Sequence, residues 1–471
     1  MTTILHQIIL NIITNLASRI YFLEVKAIRK PKMSKSISSS LTHKRILYIA
    51  VPVVLSNATV PILGAVDTAV VGQLGQAVPI GAVGIGAIII TSIFWLFGFL
   101  RMGTSGLTAQ AIGAGDFAET NALLIRSISI GFAAGLIFII IQIPLFWGAL
   151  WLAPASAEVK SLASEYLHIR IYSGPAVIAL YGVTGWLIAS ERTRSVLVIQ
   201  LLMNGLNIVL DLLFVLKLEL GVAGVAYASL IAEWSGAVLG LWMTRQAFKN
   251  GSWKNWSQIL DRLRLRKMII VNSDILVRTI FLETAFLSFM FLGSSFDDAT
   301  LAANQVLIQF LHITAYGMDG FAIAAETLVG QAIGARNLGN LRRSVVLTCQ
   351  WGAITAVFMS LFFAIFGSYI INLMTTATDV RFVAEQYLPW MILAPLAGGA
   401  SWMFDGIFIG ATRTADMRNM MLISFGVYLF SLIILLPSFG NHGLWVALNV
   451  FLFARGITLW WKYPKVELFM S

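Results

Sequence analysis

The sequence predicts an all-α membrane protein whose twelve transmembrane helices form two six-helix repeats. Three observations carry that expectation. Hydrophobic residues make up 58% of the chain and charged residues only 11%, whereas a soluble domain is about a quarter charged. Apolar stretches of about 20 residues, long enough to cross a bilayer as helices, recur along the whole length. A single offset of 221 residues also lays the second half on the first, so that Gln110-Ala111-Ile112-Gly113-Ala114 recurs as Gln331-Ala332-Ile333-Gly334-Ala335. The same offset carries Gly72 to Gly293, Tyr166 to Tyr387, Gly185 to Gly406, Arg192-Thr193 to Arg413-Thr414 and Val225-Ala226 to Val446-Ala447. In membranes, such a duplication belongs mostly to transporters.

The spans are expected near 46–72, 79–103, 122–150, 162–190, 195–217, 221–247, 267–293, 299–330, 343–372, 382–410, 416–437 and 441–461. Residues 41–250 then make an N-terminal lobe and 251–471 a C-terminal lobe. Residues 1–40 are a cytoplasmic extension outside the duplication. Within it, Ile4 to Leu16 is too short and too polar to span, and Met33 opens a basic, Ser-rich run. Either 1–32 is an interfacial helix or translation begins at Met33, the reading preferred here.

The net charge of +10 is not a nucleic-acid signal. Lys44, Arg45, Arg192, Arg194, Lys249, Lys254, Arg262, Arg264, Arg336, Arg342, Arg413 and Lys462 fall at the ends or in every second connection, and the connections between are nearly free of Lys and Arg. The positive-inside rule therefore places both termini and the 248–266 linker in the cytoplasm, as an even number of spans requires. Cys349 is alone, which excludes an intramolecular disulfide or a cysteine metal site. No phosphate-cradling glycine loop, metal cluster or nucleophile elbow occurs, and no soluble stretch could fold a nucleotide-binding domain. Neither a cofactor nor an enzymatic activity is expected.

Charges inside a span are costly, so each needs a role or a partner. Span 1 carries Asp67 in its outer third and span 5 carries Asp211 at a similar height. Asn207 lies one turn before Asp211 on the same face, and Tyr166 in span 4 reaches the same outer layer. The offset maps Asp67 to Ser288, Asn207 to Tyr428 and Asp211 to Leu432; only the tyrosine persists, as Tyr387. Carboxylates present in one copy alone favour an ion-responsive site over pairing with local amides or simple wetting. Pro61, six residues before Asp67, is either a coupling hinge or a static bend.

The C-terminal half holds Arg278 and Glu283 in span 7, Asp319 and Glu326 in span 8, and Asp405 in span 10. Arg278, Asp319 and Asp405 are candidates for substrate binding or secondary coupling, with a structural ion pair between Arg278 and one of these acids the equal alternative. Glu283, near mid-membrane, is the better candidate for meeting a substrate or ion. His312 is expected to be a hydrogen-bonded packing residue.

On these residues the chain resembles the multidrug and toxic compound extrusion (MATE) family, in its DinF branch. Matching stretches include Val66-Asp67-Thr68 with Gly72, Leu100-Arg101-Met102 through Gly113-Ala114, Asn207-Ile208-Val209-Leu210-Asp211, Asp319-Gly320-Phe321-Ala322 and Asp405-Gly406 through Thr412-Arg413. The resemblance runs from about residue 40 to the C-terminus. It implies two lobes around a V-shaped cavity, and export of organic compounds from the cytoplasm against inward cation flow. It also implies a cation site at Asp67, Asn207 and Asp211 with Tyr166 beside it. The NorM branch emphasises acids of the other lobe, where Glu283 matches the helix-7 glutamate and Asp405 falls about one turn from the helix-10 acid.

The reading is therefore a cation-coupled antiporter of the inner membrane, with H⁺ the expected ion and Na⁺ the alternative. Its partners are small, often cationic or lipophilic organic substrates, the coupling cation and the bilayer; a monomer without nucleic acid is expected. The rivals are a lipid-linked sugar flippase of the same superfamily and a non-transporting membrane protein.

Overall fold

In the computed structural model the described residues are 41–73, 75, 77–249 and 252–468, and the duplicated body runs from Thr42. The expectations about residues 1–40, including a start at Met33, lie outside the described residues.

Eleven helices among the described residues are long and apolar enough to cross a membrane. They follow the expected spans in order as α1 (His43–Gly72), α2 (Ala77–Gly113), α3 (Phe117–Ile140), α4 (Ala157–Ala189), α5 (Thr193–Lys217) and α6 (Gly221–Phe248). In the second copy come α7 (Arg262–Gly293), α8 (Asp298–Gly334), α9 (Leu338–Met374) and α10 (Thr378–Gly410). The eleventh helical stretch, Thr414–Lys462, contains a non-helical residue, Gly440 at φ 53°. A Cβ on Gly443 would collide with the Leu435 carbonyl, so the chain doubles back there. The stretch is two antiparallel helices, α11 (414–439) and α12 (441–462), which accounts for the expected twelfth span.

Polar residues in the connections start the helices. Thr42, Asp116, Ser156, Asp261, Asp297 and Asn337 each accept a hydrogen bond from a backbone N–H in the first turn of α1, α3, α4, α7, α8 and α9. The Arg264 and Leu263 amides hold the Asp261 carboxyl below the usual carboxylate range. The Thr300 hydroxyl and amide do the same for Asp297.

The duplication reaches the level of single turns. Helices α2 and α8 both stop in a left-handed residue, Gly115 (φ 73°) and its counterpart Arg336 (φ 51°). Helices α4 and α10 do likewise at Glu191 (φ 57°) and Thr412 (φ 51°), again one offset apart. Non-glycine residues rarely adopt this conformation, so its repetition at matched positions shows one inherited backbone rather than convergent composition.

The lobes join at the end of the bundle that carries the Gln-Ala-Ile-Gly-Ala repeats. A Cβ on Gly113 would strike the Gln331 carbonyl, and one on Gly334 would strike the Gln110 carbonyl. The two repeats thus face each other across a pseudo-twofold axis, with only glycine allowing the backbones so close. Gln110 donates to the Gly410 carbonyl (3.0 Å) and Gln331 to the Ala189 carbonyl (3.1 Å), two more positions related by the offset. Arg45 adds a bridge, bonding Glu191 (2.5 Å) and Gln331 (2.9 Å). The linker is clamped at the same end, where buried Arg126 of α3 donates to the Gln258 (2.5 Å) and Ile259 (2.7 Å) carbonyls and to Glu119 (2.6 Å).

Candidate functional site

The layer expected in the N-terminal lobe forms. Helix α1 presents Asp67, α5 presents Asn207 and fully buried Asp211, and α4 brings buried Tyr166 alongside. In the orientation that satisfies both ends of its amide, Asn207 donates to Asp67 Oδ1 and Asp211 Oδ2, each at 3.1 Å. Its oxygen accepts from the amide and hydroxyl of Ser229 on α6, also at 3.1 Å. One neutral amide therefore holds two carboxyls face to face, while the second Asp211 oxygen, Oδ1, is buried without a partner. Directly after Asp211 the backbone loosens into a π-helical turn, Leu212–Lys217. Such turns often mark functional points in helices. Space for the Tyr166 ring comes from Gly86 of α2, where a Cβ would lie 2.5 Å from the ring.

Three members of this layer, Ser229, Arg170 and Glu233, escaped sequence reasoning. Arg170, one turn beyond Tyr166 on α4, is paired through both guanidinium nitrogens with Glu233 of α6 and also donates to Ser173 (3.1 Å). It lies close enough to Asp67 and Asp211 to act on both electrostatically. The available signal was spacing: a cation four residues after Tyr166 on one helix face, inside an apolar span. With Asp67, Asp211 and Glu233 against Arg170, the fully ionised layer holds two more negative than positive charges. A bound proton or a small monovalent cation removes part of that excess.

The second copy shows what these positions do without carboxylates. Ser288 and Tyr428, the counterparts of Asp67 and Asn207, hydrogen bond to each other at 3.0 Å, and Leu432 replaces Asp211 in the apolar packing. The contact between the helices is kept in both lobes. The charge is confined to one.

In the C-terminal lobe, buried Asp405 uses one oxygen, Oδ2, to accept from Arg278 and from Arg455 (2.7 Å). The structural ion pair of Arg278 with an acid is thus formed, and Arg455 of α12 joins it unforeseen. Asp319 is not in this pair; it lies within electrostatic reach of Arg101, Arg278 and Asp405. Glu283 is half-buried and makes no hydrogen bond among the described residues. Glu326 is buried against the other lobe. His312 departs from expectation: it makes no hydrogen bond among the described residues and sits on the exposed face of α8 beside Gln309 and Ile313. Helical periodicity puts it on a face that no neighbouring helix covers, which a position deep in a span does not reveal. Helix α1 runs unbroken through Pro52 and Pro61. Among the described residues no group of three or more His, Cys, Asp or Glu could hold a metal ion.

Comparison with known proteins agrees with this fold. The MatE family model matches residues 52–213 and 275–434, one match per lobe. The chain is 37% identical over 419 residues to DNA damage-inducible protein F of Escherichia coli, covering 89% of this chain and 91% of that one. It is 25% identical to a probable multidrug resistance protein NorM of Halalkalibacterium halodurans, with 90% and 94% covered. The bent form of the Vibrio cholerae MATE transporter VcmN superimposes with a TM-score of 0.81 at 21% identity, over 91% of this chain and 97% of that one.

Proposed function

Because the chain belongs to the MatE family of multidrug efflux transporters, we propose that it is a cation-coupled antiporter exporting organic compounds from the cytoplasm, with protons as the coupling ion. The observation that carries the coupling half is the carboxyl pair Asp67–Asp211, bridged by Asn207 and found in only one of two otherwise equivalent lobes. In the charged state the two carboxylates repel across the amide, and the layer favours separation of α1 from α5. A proton or Na⁺ bound between them removes the repulsion and lets the helices close. An ion moves such an equilibrium only through its different affinity for the two arrangements. The observed closeness of the two carboxyls supports such a difference, because an arrangement that moved α1 from α5 would part them and bind the ion more weakly.

The half-buried Glu283 carboxyl suits an organic cation. A lipid-linked sugar flippase would call for uncommitted basic residues facing the cavity to hold phosphate. Arg278, a basic residue inside a span that such a flippase would use, is bonded to Asp405. The positive-inside pattern sets the working direction, with the Gln110/Gln331 end and both termini in the cytoplasm.

Purified protein in liposomes with an imposed pH gradient tests this reading. Uptake or release of a fluorescent lipophilic cation that follows the gradient, and stops when it is collapsed, is the expected result. Transport indifferent to both H⁺ and Na⁺ gradients would overturn it.

A further inference from the structure

The two copies of the arginine bridge at the joined end differ by one acid. In the first copy, Arg45 of α1 bonds Glu191 and Gln331. The offset pairs these residues with Arg266 of α7, Thr412 and Gln110. Gln110 donates to Thr412 Oγ1 at 3.1 Å, but threonine has no charge to offer Arg266. The left-handed turn is kept in both copies, with Glu191 at φ 57° and Thr412 at φ 51°. The backbone is therefore the same, and the carboxylate is missing from it. The second copy also adds a cation, since Lys267 stands where the first has Ile46.

Arg266 and Lys267 are exposed and make no hydrogen bond or ion pair among the described residues. They border a groove of about 490 Å³ between the start of α7 and the turn into α11. The acids of this groove are already engaged. Asp274 is bonded to Arg418 (2.5 Å) and Thr414 (3.0 Å), and Asp416 to Arg413 (2.5 Å). Glu119, within electrostatic reach of Lys267, is bonded to Arg126 and Arg264. Four cations, Arg266, Lys267, Arg413 and Arg418, thus face two acids, Asp274 and Asp416. The rest of the wall is apolar, from Leu263, Ile270 and Val271. The groove lies on the α11 side of α7, whereas Asn272, packed against Gly103 of α2, marks the side turned to the other lobe. From Arg266 the exposed face of α7 continues in whole heptads to Ile280 and Leu287, with Phe291 one turn on. The groove is therefore continuous with apolar surface that faces the bilayer.

Basic pockets between helices at the headgroup level hold anionic lipid headgroups, and apolar surface directly beneath them receives the chains. We propose that this groove is a binding site for an anionic phospholipid from the leaflet at the joined end, the cytoplasmic leaflet in the reading above. The lipid phosphate takes the part that the Glu191 carboxylate plays in the first copy, held by Arg266 and Lys267. An acyl chain follows the apolar face of α7 from Ile270 toward Ile280. The first copy does not take this lipid, because Arg45 is already neutralised by Glu191. Only the choice of leaflet rests on the proposed orientation; the site itself does not depend on transport.

Native mass spectrometry of the purified full-length protein in neutral detergent tests the site. Titration with dioleoyl phosphatidylglycerol gives the half-saturation of the first lipid bound. Phosphatidylcholine with the same chains is expected to bind about tenfold more weakly. Arg266→Gln and Lys267→Gln, at exposed residues without partners, are each expected to weaken phosphatidylglycerol about fivefold. Thr412→Glu gives Arg266 the acid that Arg45 has, at a backbone angle that Glu191 already adopts. It is expected to fold and to weaken phosphatidylglycerol at least as much as Arg266→Gln. Arg262→Gln removes an exposed charge of the same helix outside the groove and is expected to stay within about twofold of the parent. Inorganic phosphate in about tenfold excess is expected to leave the lipid bound, since it has no chain for the apolar wall. Displacement by phosphate would assign the groove to a soluble anion and overturn the lipid. Equal losses in Arg262→Gln and Arg266→Gln, or parental binding by both groove variants, would overturn it as well. Binding is read without cargo or gradient. A protein that keeps this pattern and transports nothing would therefore sustain the lipid site and sink the exporter.

Discussion

Replacing Asp405 by asparagine is expected to cost fold stability rather than transport specificity. The carboxylate, Arg278 and Arg455 are all buried, and one oxygen of Asp405 accepts from both guanidinium groups. Asparagine keeps the volume and one acceptor, but it leaves two buried cations meeting at a neutral group. Breaking a buried pair by removing one partner costs about 3–5 kcal/mol, and here the removed partner serves two. Spread over one lobe, this corresponds to a fall of about 10 °C in the unfolding midpoint. Arg455→Met provides the contrast. It leaves the Arg278–Asp405 pair whole and gives up one hydrogen bond and the stacking of Arg455 over Phe451 (5.6 Å), a loss of about 1–2 kcal/mol. Intrinsic tryptophan fluorescence of detergent-purified variants on a temperature ramp reads both. An Asp405→Asn midpoint within about 2 °C of the parent, with transport abolished, would refute a structural triad and assign Asp405 to the cargo or ion path.

Three further outcomes are expected. Glu283→Gln should change the apparent affinity for cationic cargo several-fold while leaving proton release per cargo intact, because Glu283 is half-buried in the lobe without the carboxyl pair; loss of proton coupling would move the ion site to the second lobe. Arg126→Ala removes the donor to the Gln258 and Ile259 carbonyls, so limited trypsin digestion at Lys249 and Lys254 should accelerate about tenfold, and an unchanged digest would show that the linker is held otherwise. Gly334→Val, whose Cβ would strike the Gln110 carbonyl, should wedge the joined end apart and stop transport while the protein still inserts; normal transport would contradict a tight closure there.

The helices and the duplication were legible because both rest on local signals. Apolar run length sets a span, and the recurrence of Gln110–Ala114 at Gln331–Ala335 sets the repeat. Position along the spans placed Asp67, Asn207 and Asp211 in one layer, since a helix fixes which residues share a face and a height. What stayed hidden depends on contacts between distant helices. The pairing of Arg170 with Glu233, and of Arg455 with Asp405, needs α4 against α6 and α12 against α10. His312 failed for a related reason: depth in a span is readable, but the direction a side chain faces is set by the neighbours of α8. The double-back at Gly440 was anticipated as a boundary between spans, while its left-handed backbone emerged only from the fold.

In the proposed function, Asp67 and Asp211 together hold the coupling ion. This is tested most directly by proton release from purified protein in liposomes on addition of a lipophilic cation, with and without Na⁺, in the parent, Asp67→Asn and Asp211→Asn. The parent should release protons in proportion to bound cargo with no need for Na⁺. Each variant should fold, bind cargo and release none. Proton release at parental levels from either variant would contradict the account.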